Sequence, residues 1–436
     1  MIGEQPFIAI DGVFFQINGK SGIARVWRSL LQEWVLSGFA QHLLLLDRDG
    51  TAPKILGINY QLIHRYEWDD TFEDSLKLQE ICNQHKIDLF VSTYYTQPIS
   101  TQAISTPTIL LIHDMIPEKI GADLNLPMWQ EKYYAICCAY RYITISDNTK
   151  RDLCYFYPKI NSSDVTVAHN GLDPLFAPSS KAEISQVLTS YQIKHPYFLI
   201  VGDRVGLDGY KNAIHSFRAI SKLSTSEQLE IICVGGNEKL ETELISLVSG
   251  MKVHRLSLSD RELQAAYSGA IALIYPSLYE GFGLPVLEAM ACGCPVITCD
   301  NSSLSEVAGS AAIYVSETDV ADLVAALEQV QQSEVRSQLI TAGFAQSQQF
   351  SWAKMASTID RVMIDAHADI KAGQLKLSTD PLTAELRQLK SQLMIAKKQL
   401  TVAQGRITWM ETSKFWHLRQ QWFQLKKWLR LVDDIK

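Results

Sequence analysis

Short apolar segments alternate with longer segments of helical spacing along the first 368 residues of this 436-residue chain. Apolar runs of only four to six residues are typical of buried strands, and the residues between them follow the period of amphipathic helices. This alternation predicts parallel β-sheets whose two faces are covered by helices. The predicted strands are Phe7–Ile10, Leu43–Leu46, Leu89–Ser92, Thr108–His113, Tyr142–Ser146, Val165–Ala168, Tyr197–Gly202, Glu230–Val234, Lys252–Leu256, Ile271–Tyr275, Pro295–Cys299 and Ala312–Val315.

The alternation divides the chain into three parts. It stops near Phe176 and starts again at Tyr197, so we expect two α/β domains, residues 1–176 and 177–368. The remaining residues, 369–436, have helical spacing and no strand pattern. In parallel sheets ligands bind outside the carboxyl ends of the strands. The residues that directly follow the predicted strands are therefore the first candidates for a functional site.

Composition narrows the class of protein. Hydrophobic residues make up 47% and charged residues 20%, as in an ordinary soluble enzyme, and the net charge of -7 gives no sign of a nucleic-acid partner. The N-terminus lacks the basic start and apolar core of a signal peptide, and Pro, Gly and Glu interrupt the most apolar stretch, 271–298. The eight cysteines show no paired metal-ligand spacing. We therefore predict a cytoplasmic protein with reduced cysteines.

A glycine loop between a strand and a short helix is the first candidate site. Gly281 and Gly283 follow the predicted strand Ile271–Tyr275 and let the backbone turn sharply and approach a ligand closely. Pro285 stands where a helix would begin, and Gly293 fits the end of that helix. Free N–H groups at a helix N-terminus suit an anion, so this loop predicts a phosphate site.

Two glutamates flank the predicted phosphate site. Glu280 lies in the loop and Glu288 in the first turn of the predicted helix, with seven residues between them. Carboxylates repel phosphate but accept hydrogen bonds from hydroxyl groups, so the pair predicts a phosphorylated sugar or a nucleotide sugar as the ligand. The alternative is that Glu280 is a solvated loop residue and that Glu288 is a favourable charge near a helix N-terminus.

Two cations follow the first strand of the second domain. Arg204 and Lys211 flank a glycine-containing loop that leads into a helix. Arg forms forked hydrogen bonds and Lys acts as a point charge, and both suit a diphosphate beside a helix N-terminus. The alternative is a solvated loop with two surface cations.

Three segments carry a resemblance to a known family. They are Glu280–Gly293, with the sequence EGFGLPVLEAMACG, then Pro295–Ile297 and Ser302–Gly309, and together they closely resemble the signature of retaining glycosyltransferases of family 4. The resemblance implies a GT-B architecture, in which two doubly wound Rossmann-like domains face a cleft. It also implies transfer of a hexose from a nucleotide diphosphate sugar to a hydroxyl of a glycan or lipid-linked acceptor, with no cofactor and no divalent metal.

The resemblance implies a role for each candidate residue. Arg204 and Lys211 match the residues that bind the donor's diphosphate. Glu280 would hold the donor sugar, Glu288 would hold the ribose, and the loop amides would hold donor oxygens. The implied catalytic residues are His113, Arg204, Lys211 and Glu280, and the implied donor-binding residues are Gly22, Gly281, Phe282, Gly283, Leu284 and Glu288.

The same resemblance implies two candidate site residues in the first domain. Gly22 matches the glycine loop that faces the donor phosphate and the acceptor, with a plain turn before a helix as the alternative. The segment His113–Pro117 resembles the His-Asp-x-x-Pro segment of mannosyltransferase-like members, where the histidine touches the donor sugar. A structural histidine at a strand end is the alternative. This segment favours mannose from a guanosine donor.

The extension, residues 369–436, is not covered by the resemblance. Apolar residues spaced alternately by four and three predict a coiled coil and hence self-association, with a helix that packs on its own enzyme body as the alternative. Residues 412–432 combine aromatic residues with cations, which suits the inner face of an anionic membrane or else a partner helix. The coiled-coil positions are Leu382, Leu386, Leu389, Leu393, Ala396, Leu400, Ala403, Ile407 and Met410.

The favoured function is a retaining glycosyltransferase that acts in polysaccharide or glycolipid synthesis. One alternative is a non-catalytic scaffold on a GT-B body that acts through its coiled coil. A second is a sugar phosphorylase or nucleotide-sugar hydrolase of the same architecture, which would release its product without an acceptor.

Overall fold

The structure is a computed structural model that describes residues 5–68, 70–100, 105–204, 209–224, 228–373, 381–412 and 414–429. Part of the loop between Arg204 and Lys211, the end of the predicted linker before residue 381, and the end of the predicted membrane segment 412–432 lie outside the described residues.

The first domain contains a seven-stranded parallel sheet with the strand order β3-β2-β1-β4-β5-β6-β7. The order reverses between β1 and β4, which leaves a crevice at the carboxyl ends of these two strands. The strands are β1 (Ile8–Asp11), β2 (Leu43–Arg48), β3 (Asn59–Ile63), β4 (Leu89–Ser92), β5 (Thr108–Ile112), β6 (Arg141–Thr144) and β7 (Val165–Val167).

The second domain contains a six-stranded parallel sheet with the order β10-β9-β8-β11-β12-β13. Its order reverses between β8 and β11, so the second crevice lies at the carboxyl ends of these two strands. The strands are β8 (Tyr197–Val201), β9 (Glu230–Val234), β10 (Lys252–Leu256), β11 (Leu273–Tyr275), β12 (Val296–Cys299) and β13 (Ala312–Val315).

The predicted fold class, two doubly wound α/β domains with a helical extension, is confirmed. All twelve predicted strands are present, and their bounds differ from the prediction by at most two residues. The sequence missed β3, an edge strand. Its Asn59 and Leu62 side chains are exposed and only Ile63 is buried, so it lacks the continuous apolar run that marked most of the other strands.

Helices cover both sheets. In the first domain they are α1 (Val13–Asn18), α2 (Gly22–Ser37), α3 (Thr71–His85), α4 (Ile116–Ile120), α5 (Pro127–Cys138) and α6 (Asp147–Phe156). In the second domain they are α7 (Lys181–Ser190), α8 (Ala213–Ile220), α9 (Thr242–Leu247), α10 (Asp260–Gly269), α11 (Leu284–Ala291), α12 (Leu304–Ala308), α13 (Val320–Gln329) and α14 (Ser333–Ser347).

The next helix, α15 (Trp352–Lys371), returns to the first domain. It packs on α2, where the Trp34 indole N–H donates to Asp360, and Arg141 at the start of β6 pairs with Asp369 at 2.9 Å. The chain thus crosses between the domains twice. The two crossings touch, because Leu172 forms an isolated parallel bridge with Ser351.

Two further helices form the extension, α16 (Pro381–Thr412) and α17 (Lys414–Trp428). The helix α16 contacts α3 of the first domain, and it also contacts α17. The large apolar residues of the predicted coiled coil that have described side chains, from Leu389 to Met410, are more than half exposed. Within the described residues, no helix is both long enough and apolar enough to span a membrane.

Candidate active site

The candidate residues gather at the crevice of the second sheet. Arg204 and Lys211 follow β8, and Glu280 and Glu288 follow β11, so they lie beyond the two strands between which the order reverses. His113 follows β5 of the first sheet. Open α/β sheets bind ligands at this position, and the sequence placed its candidates there by the same argument.

The glycine loop has the predicted form, strand then loop then short helix. Gly283 adopts a φ of +107°, a left-handed conformation that suits glycine, and it caps α11. One detail of the prediction is wrong. Because the helix already begins at Leu284, with Pro285 as its second residue, Glu288 is the fifth helical residue and lies beyond the first turn.

The N–H groups of the loop are its distinctive feature. The carbonyls of Glu280 and Phe282 accept hydrogen bonds from Ser303, and the carbonyl of Gly281 accepts one from Thr149. The N–H groups of residues 281–283 donate to none of the described residues. The loop backbone is therefore anchored through its carbonyls, and its amides are available for an anionic ligand.

Lys211 and Glu280 form a compact pair inside the second domain. The Lys211 ammonium donates to Glu280 and to the Tyr275 hydroxyl, both at 2.5 Å, and it lies 4.8 Å from the centre of the Tyr275 ring. Burial, and after it the charge of Glu280, raises the pKa of Tyr275 well above its usual range, so this phenol stays protonated. Charged, hydrogen-bonded side chains in a largely buried pocket can contact both a phosphate and sugar hydroxyls.

Glu288 is paired across the cleft. Its carboxylate accepts a hydrogen bond from Arg25 of α2 and, at 3.1 Å, one from the Tyr267 hydroxyl. Arg25 also pairs with Asp260 at 2.6 Å, so one guanidinium joins the first domain to two helices of the second. Burial raises the pKa of Glu288 to about 7, and Arg25 opposes that shift.

The two domains touch at the glycine loop itself. A Cβ atom added to Gly281 would lie 2.0 Å from the carbonyl oxygen of His113. The His113 side chain is 5% exposed, its Nε2 has no hydrogen-bond partner among the described residues, and burial lowers its pKa to about 3. The imidazole is therefore neutral at physiological pH.

Gly22 and Leu284 oppose each other where the helices α2 and α11 begin. A Cβ added to Gly22 would lie 3.7 Å from Leu284 Cδ1. The side chain of Phe282 instead contacts aromatic residues. Its ring packs edge-on to Phe350 and lies 6.3 Å from the ring of His169. The predicted donor-binding residues thus lie on both walls of one cleft.

Arg204 lies apart from this group. Its side chain is 1% exposed and turns toward the loop after β9, where it donates to the carbonyls of Gly235 and Asn237 at 2.6 and 3.1 Å and to Glu241 at 2.8 Å. Nothing in the local sequence around Arg204 indicates Glu241 as a competing anion. Arg204 would have to exchange these partners to reach a diphosphate.

A second group of charged residues bridges the domains. Asp147, His169 and Glu306 offer ligand atoms that all lie within 4.8 Å of one another, which is compatible with a metal ion. However, Glu306 is hydrogen-bonded to His169 at 2.5 Å and accepts from the N–H groups of Asp147 and Asn148. In this structure the group joins α12 to the start of α6. The expectation that no divalent metal is required stays a prediction.

Comparison with known proteins decides the family. The model for group 1 glycosyl transferases matches residues 182–346, and the model for glycosyltransferase family 4 matches residues 20–175. The O-antigen chain mannosyltransferase B of Escherichia coli is 30% identical over 277 residues, which are 62% of this chain and 68% of that protein. The chain belongs to glycosyltransferase family 4.

More distant relatives of this glycosyltransferase agree in fold. The α-maltose-1-phosphate synthase of Mycobacterium tuberculosis is 25% identical over 283 residues, which are 58% of this chain and 72% of that one. The solved sucrose-phosphate synthase of Thermosynechococcus elongatus covers 84% of the chain and is itself fully covered, with a TM-score of 0.64 at 18% identity. Anabaena HepE in complex with UDP and glucose also has a TM-score of 0.64, at 15% identity, over 82% of this chain and 99% of that one.

Sequence reasoning also missed residues that support the site in this glycosyltransferase. Among them are Arg25, Asp260, Tyr267 and Tyr275, which hold the two glutamates and Lys211 in place or bridge the cleft. The sequence did contain a signal for Arg25, because it stands three residues after Gly22, within the first turn of α2. Asp260 and Tyr275 lie at the start of a helix and the end of a strand, where structural roles explain them equally well.

Proposed function

We propose that this glycosyltransferase transfers a sugar from a nucleoside diphosphate sugar to an acceptor hydroxyl with retention of configuration. The observation that carries the proposal is the row of N–H groups at residues 281–283, which have no acceptor among the described residues, beside the Lys211–Glu280 pair. Amides and an ammonium suit the diphosphate, and Glu280 suits the hydroxyls of the sugar. The nucleotide ribose would lie at Glu288.

The chemistry follows from where charge develops. As the bond between sugar and phosphate breaks, negative charge grows on the leaving diphosphate, and Lys211 together with the loop amides stabilises it. The neutral, buried imidazole of His113 suits contact with the sugar ring and does not suit a base. We therefore assign the acceptor proton to the leaving phosphate oxygen, in a displacement on the same face of the sugar.

The donor that we propose is mannose carried by a nucleoside diphosphate. The support is the His113–Pro117 segment together with relatives that are named mannosyltransferases, among them the O-antigen chain mannosyltransferases of Escherichia coli and Salmonella typhimurium. Anabaena HepE, crystallised with UDP and glucose, supports a nucleoside diphosphate at this cleft. The acceptor that we propose is a growing glycan or a lipid-linked sugar.

Release of nucleoside diphosphate from a panel of uridine, guanosine and adenosine sugars tests the proposal. The panel should be run with and without a lipid extract as the source of acceptor. We expect release from one donor, increased by the extract and lost in Glu280→Ala. Release of free sugar or sugar phosphate without an acceptor would favour a hydrolase or phosphorylase instead. If no nucleoside diphosphate binds at all, the chain is a scaffold.

We also propose a peripheral location at the inner, cytoplasmic face of a membrane, through α17. This helix exposes Trp422, Phe423 and Trp428, and its cations Arg419 and Lys426 lie over aromatic rings at about 5.5 Å. Aromatic and cationic side chains on one exposed helix suit the headgroups of anionic lipids. No acidic residue interrupts the helix from Lys414 to Trp428.

Vesicle flotation tests this location. The full chain should float with vesicles of 30% anionic lipid and stay behind with neutral vesicles, and Lys426→Glu/Lys427→Glu should abolish flotation. Lys181→Glu/Lys194→Glu changes the net charge equally at exposed positions of the second domain and is the control. Equal loss in both variants would mean that net charge, not α17, drives binding.

The predicted coiled coil supports a further proposal, self-association of the chain through residues 382–410. The exposed apolar positions of α16 are available for a second copy.

A further inference from the structure

The apolar seam of α16 has an unusual alternation of sizes. We call it the α16 seam; its members are spaced alternately by four and three residues, as in a two-stranded coiled coil. Its large side chains are exposed by 52–57%. The seam consists of Leu389, Leu393, Ala396, Leu400, Ala403, Ile407 and Met410.

The occupant that fits this seam is a second copy of the chain. A membrane-bound helix needs a wide apolar face and an excess of cations, whereas the seam is only one side chain wide. The positions beside it carry amides and both signs of charge, as in Gln392, Gln399, Arg406 and Glu411. Polar flanks around a narrow apolar seam are typical of helices that pair with each other.

The two alanines distinguish the possible orientations. In a parallel pair each residue faces its own counterpart, so Ala396 would face Ala396 and Ala403 would face Ala403. Two layers, separated only by the Leu400 layer, would then be underfilled, which costs packing energy. An antiparallel pair places unlike residues opposite each other, so a small residue can face a large one.

One antiparallel register fills every layer. When the two helices cross at residue 398, Ala396 faces Leu400 and Ala403 faces Leu393 of the second copy, and Leu389 faces Ile407. Each alanine then has a leucine opposite, and no layer of this stretch holds two alanines. We propose that two copies of this glycosyltransferase associate as an antiparallel coiled coil through the α16 seam.

The proposal rests on the self-association proposed above for residues 382–410 and adds its orientation. Sedimentation equilibrium of the full chain is the first test. We expect a mass near twice 49.0 kDa at micromolar concentration. Leu400→Glu places two carboxylates in the seam and should weaken the dimer at least tenfold. Val402→Glu is the matched control, because Val402 is an equally exposed aliphatic residue two positions away, off the seam. A monomeric wild type, or equal behaviour of the two variants, overturns the proposal.

Disulfide trapping tests the orientation separately. In the antiparallel register residue 403 faces residue 393 of the second copy, so the two copies of residue 403 are offset by ten residues along the helix axis. This offset is about 15 Å, which is too far for a disulfide. Ala403→Cys alone should therefore give no more covalent dimer than wild type under mild oxidation, and Ala403→Cys/Leu393→Cys should give a covalent dimer. Covalent dimer from Ala403→Cys alone would establish a parallel pair and overturn the orientation, while leaving self-association in place.

Transfer activity serves as the independent readout. The seam lies outside the residues that form the cleft, so Leu400→Glu should keep its rate of nucleoside diphosphate release with a soluble acceptor. A variant that loses the dimer and keeps full activity therefore shows that the seam serves association and not transfer. A wild type without activity would instead contradict the proposed transfer reaction.

Discussion

The two glutamates of the site are close in sequence but differ in their partners. Glu280 is held by Lys211, so both members of that pair belong to the second domain. Glu288 is held by Arg25, which belongs to the first domain. The ion pair that would contact the diphosphate and the sugar hydroxyls is thus assembled within one domain, whereas the ion pair that would contact ribose is completed only when the domains meet.

This difference separates the residues that would act on the transfer step from those that would act on the closing of the two domains. A change at the Lys211–Glu280 pair should act on the transfer step, because charge develops there. A change at the Arg25–Glu288 pair should act on donor binding and on the approach of the domains. Each of the first four predictions that follow tests one side of this division, and the fifth concerns stability alone.

Lys211→Ala should have the largest effect. It removes the cation that would stabilise the leaving diphosphate and leaves Glu280 without its partner, so we expect kcat to fall by about 100- to 1,000-fold. Nucleoside diphosphate release measures the change. Lys222→Ala, which alters an exposed lysine of the same domain, should keep the wild-type rate. Unchanged turnover in Lys211→Ala would remove this residue from the site.

Gly281→Ala should rank second and should act through closure. Its Cβ would lie 2.0 Å from the His113 carbonyl, so the methyl group would hold the domains apart. We expect kcat/KM to fall by about 100-fold, the size of effect that misplaced catalytic groups produce. Gly405→Ala, at a glycine with no neighbour within 4 Å, is the control. If small-angle scattering shows the same compactness for both variants with donor bound, the contact at Gly281 does not limit closure.

Arg25→Gln should have a smaller effect, mainly on the KM for the donor. Without the guanidinium, Glu288 remains buried but loses the charge that lowers its pKa, so its pKa should rise above the value of about 7 that it has in the pair. We expect a donor KM about tenfold higher at pH 7 and closer to wild type at pH 9. A fall in kcat with unchanged KM would assign Arg25 to the chemical step.

The wild type should show a weaker pH effect of the same sign. Because burial raises the pKa of Glu288 to about 7, its carboxylate is increasingly protonated as the pH falls from 8 to 6. A protonated carboxyl group accepts hydrogen bonds from ribose less well, so the donor KM should rise several-fold over that range. Glu288→Gln should abolish this dependence.

Glu306→Gln should have the smallest effect, on stability alone. Burial opposes the shift, but the hydrogen bonds from His169 and from the start of α6 lower the pKa of Glu306. Because this pKa is depressed, the stabilisation is present above the usual pKa of Glu and is lost as pH falls through the lower value of the folded state. Urea unfolding should show a loss of about 1 kcal/mol at pH 7, and the difference from wild type should shrink below pH 4.

The sequence predicted those parts of the fold and of the candidate site that depend on the local pattern of residues. Buried strands such as β8 and β11 have continuous apolar runs, and the residues that follow them could be placed at the crevices by topology alone. The partners of those residues could not be predicted in the same way. Arg25 and Glu288 are 263 positions apart, and nothing in the local pattern of either indicates the other. The carboxylate of Glu241, which engages Arg204, was missed for the same reason.

The contact between the two chain crossings sets how the cleft can open. Leu172 and Ser351 are paired, and a Cβ added to Gly171 would lie 2.1 Å from the backbone nitrogen of Trp352, so the crossings form one narrow joint. We expect a joint of this kind to favour rotation of the domains about a nearby axis over sliding or separation. Arg25 is close to this joint, because its guanidinium lies 5.5 Å from the centre of the Phe176 ring, four residues after Leu172. Atoms near the axis move little during such a rotation, whereas atoms far from it travel in proportion to their distance from the axis.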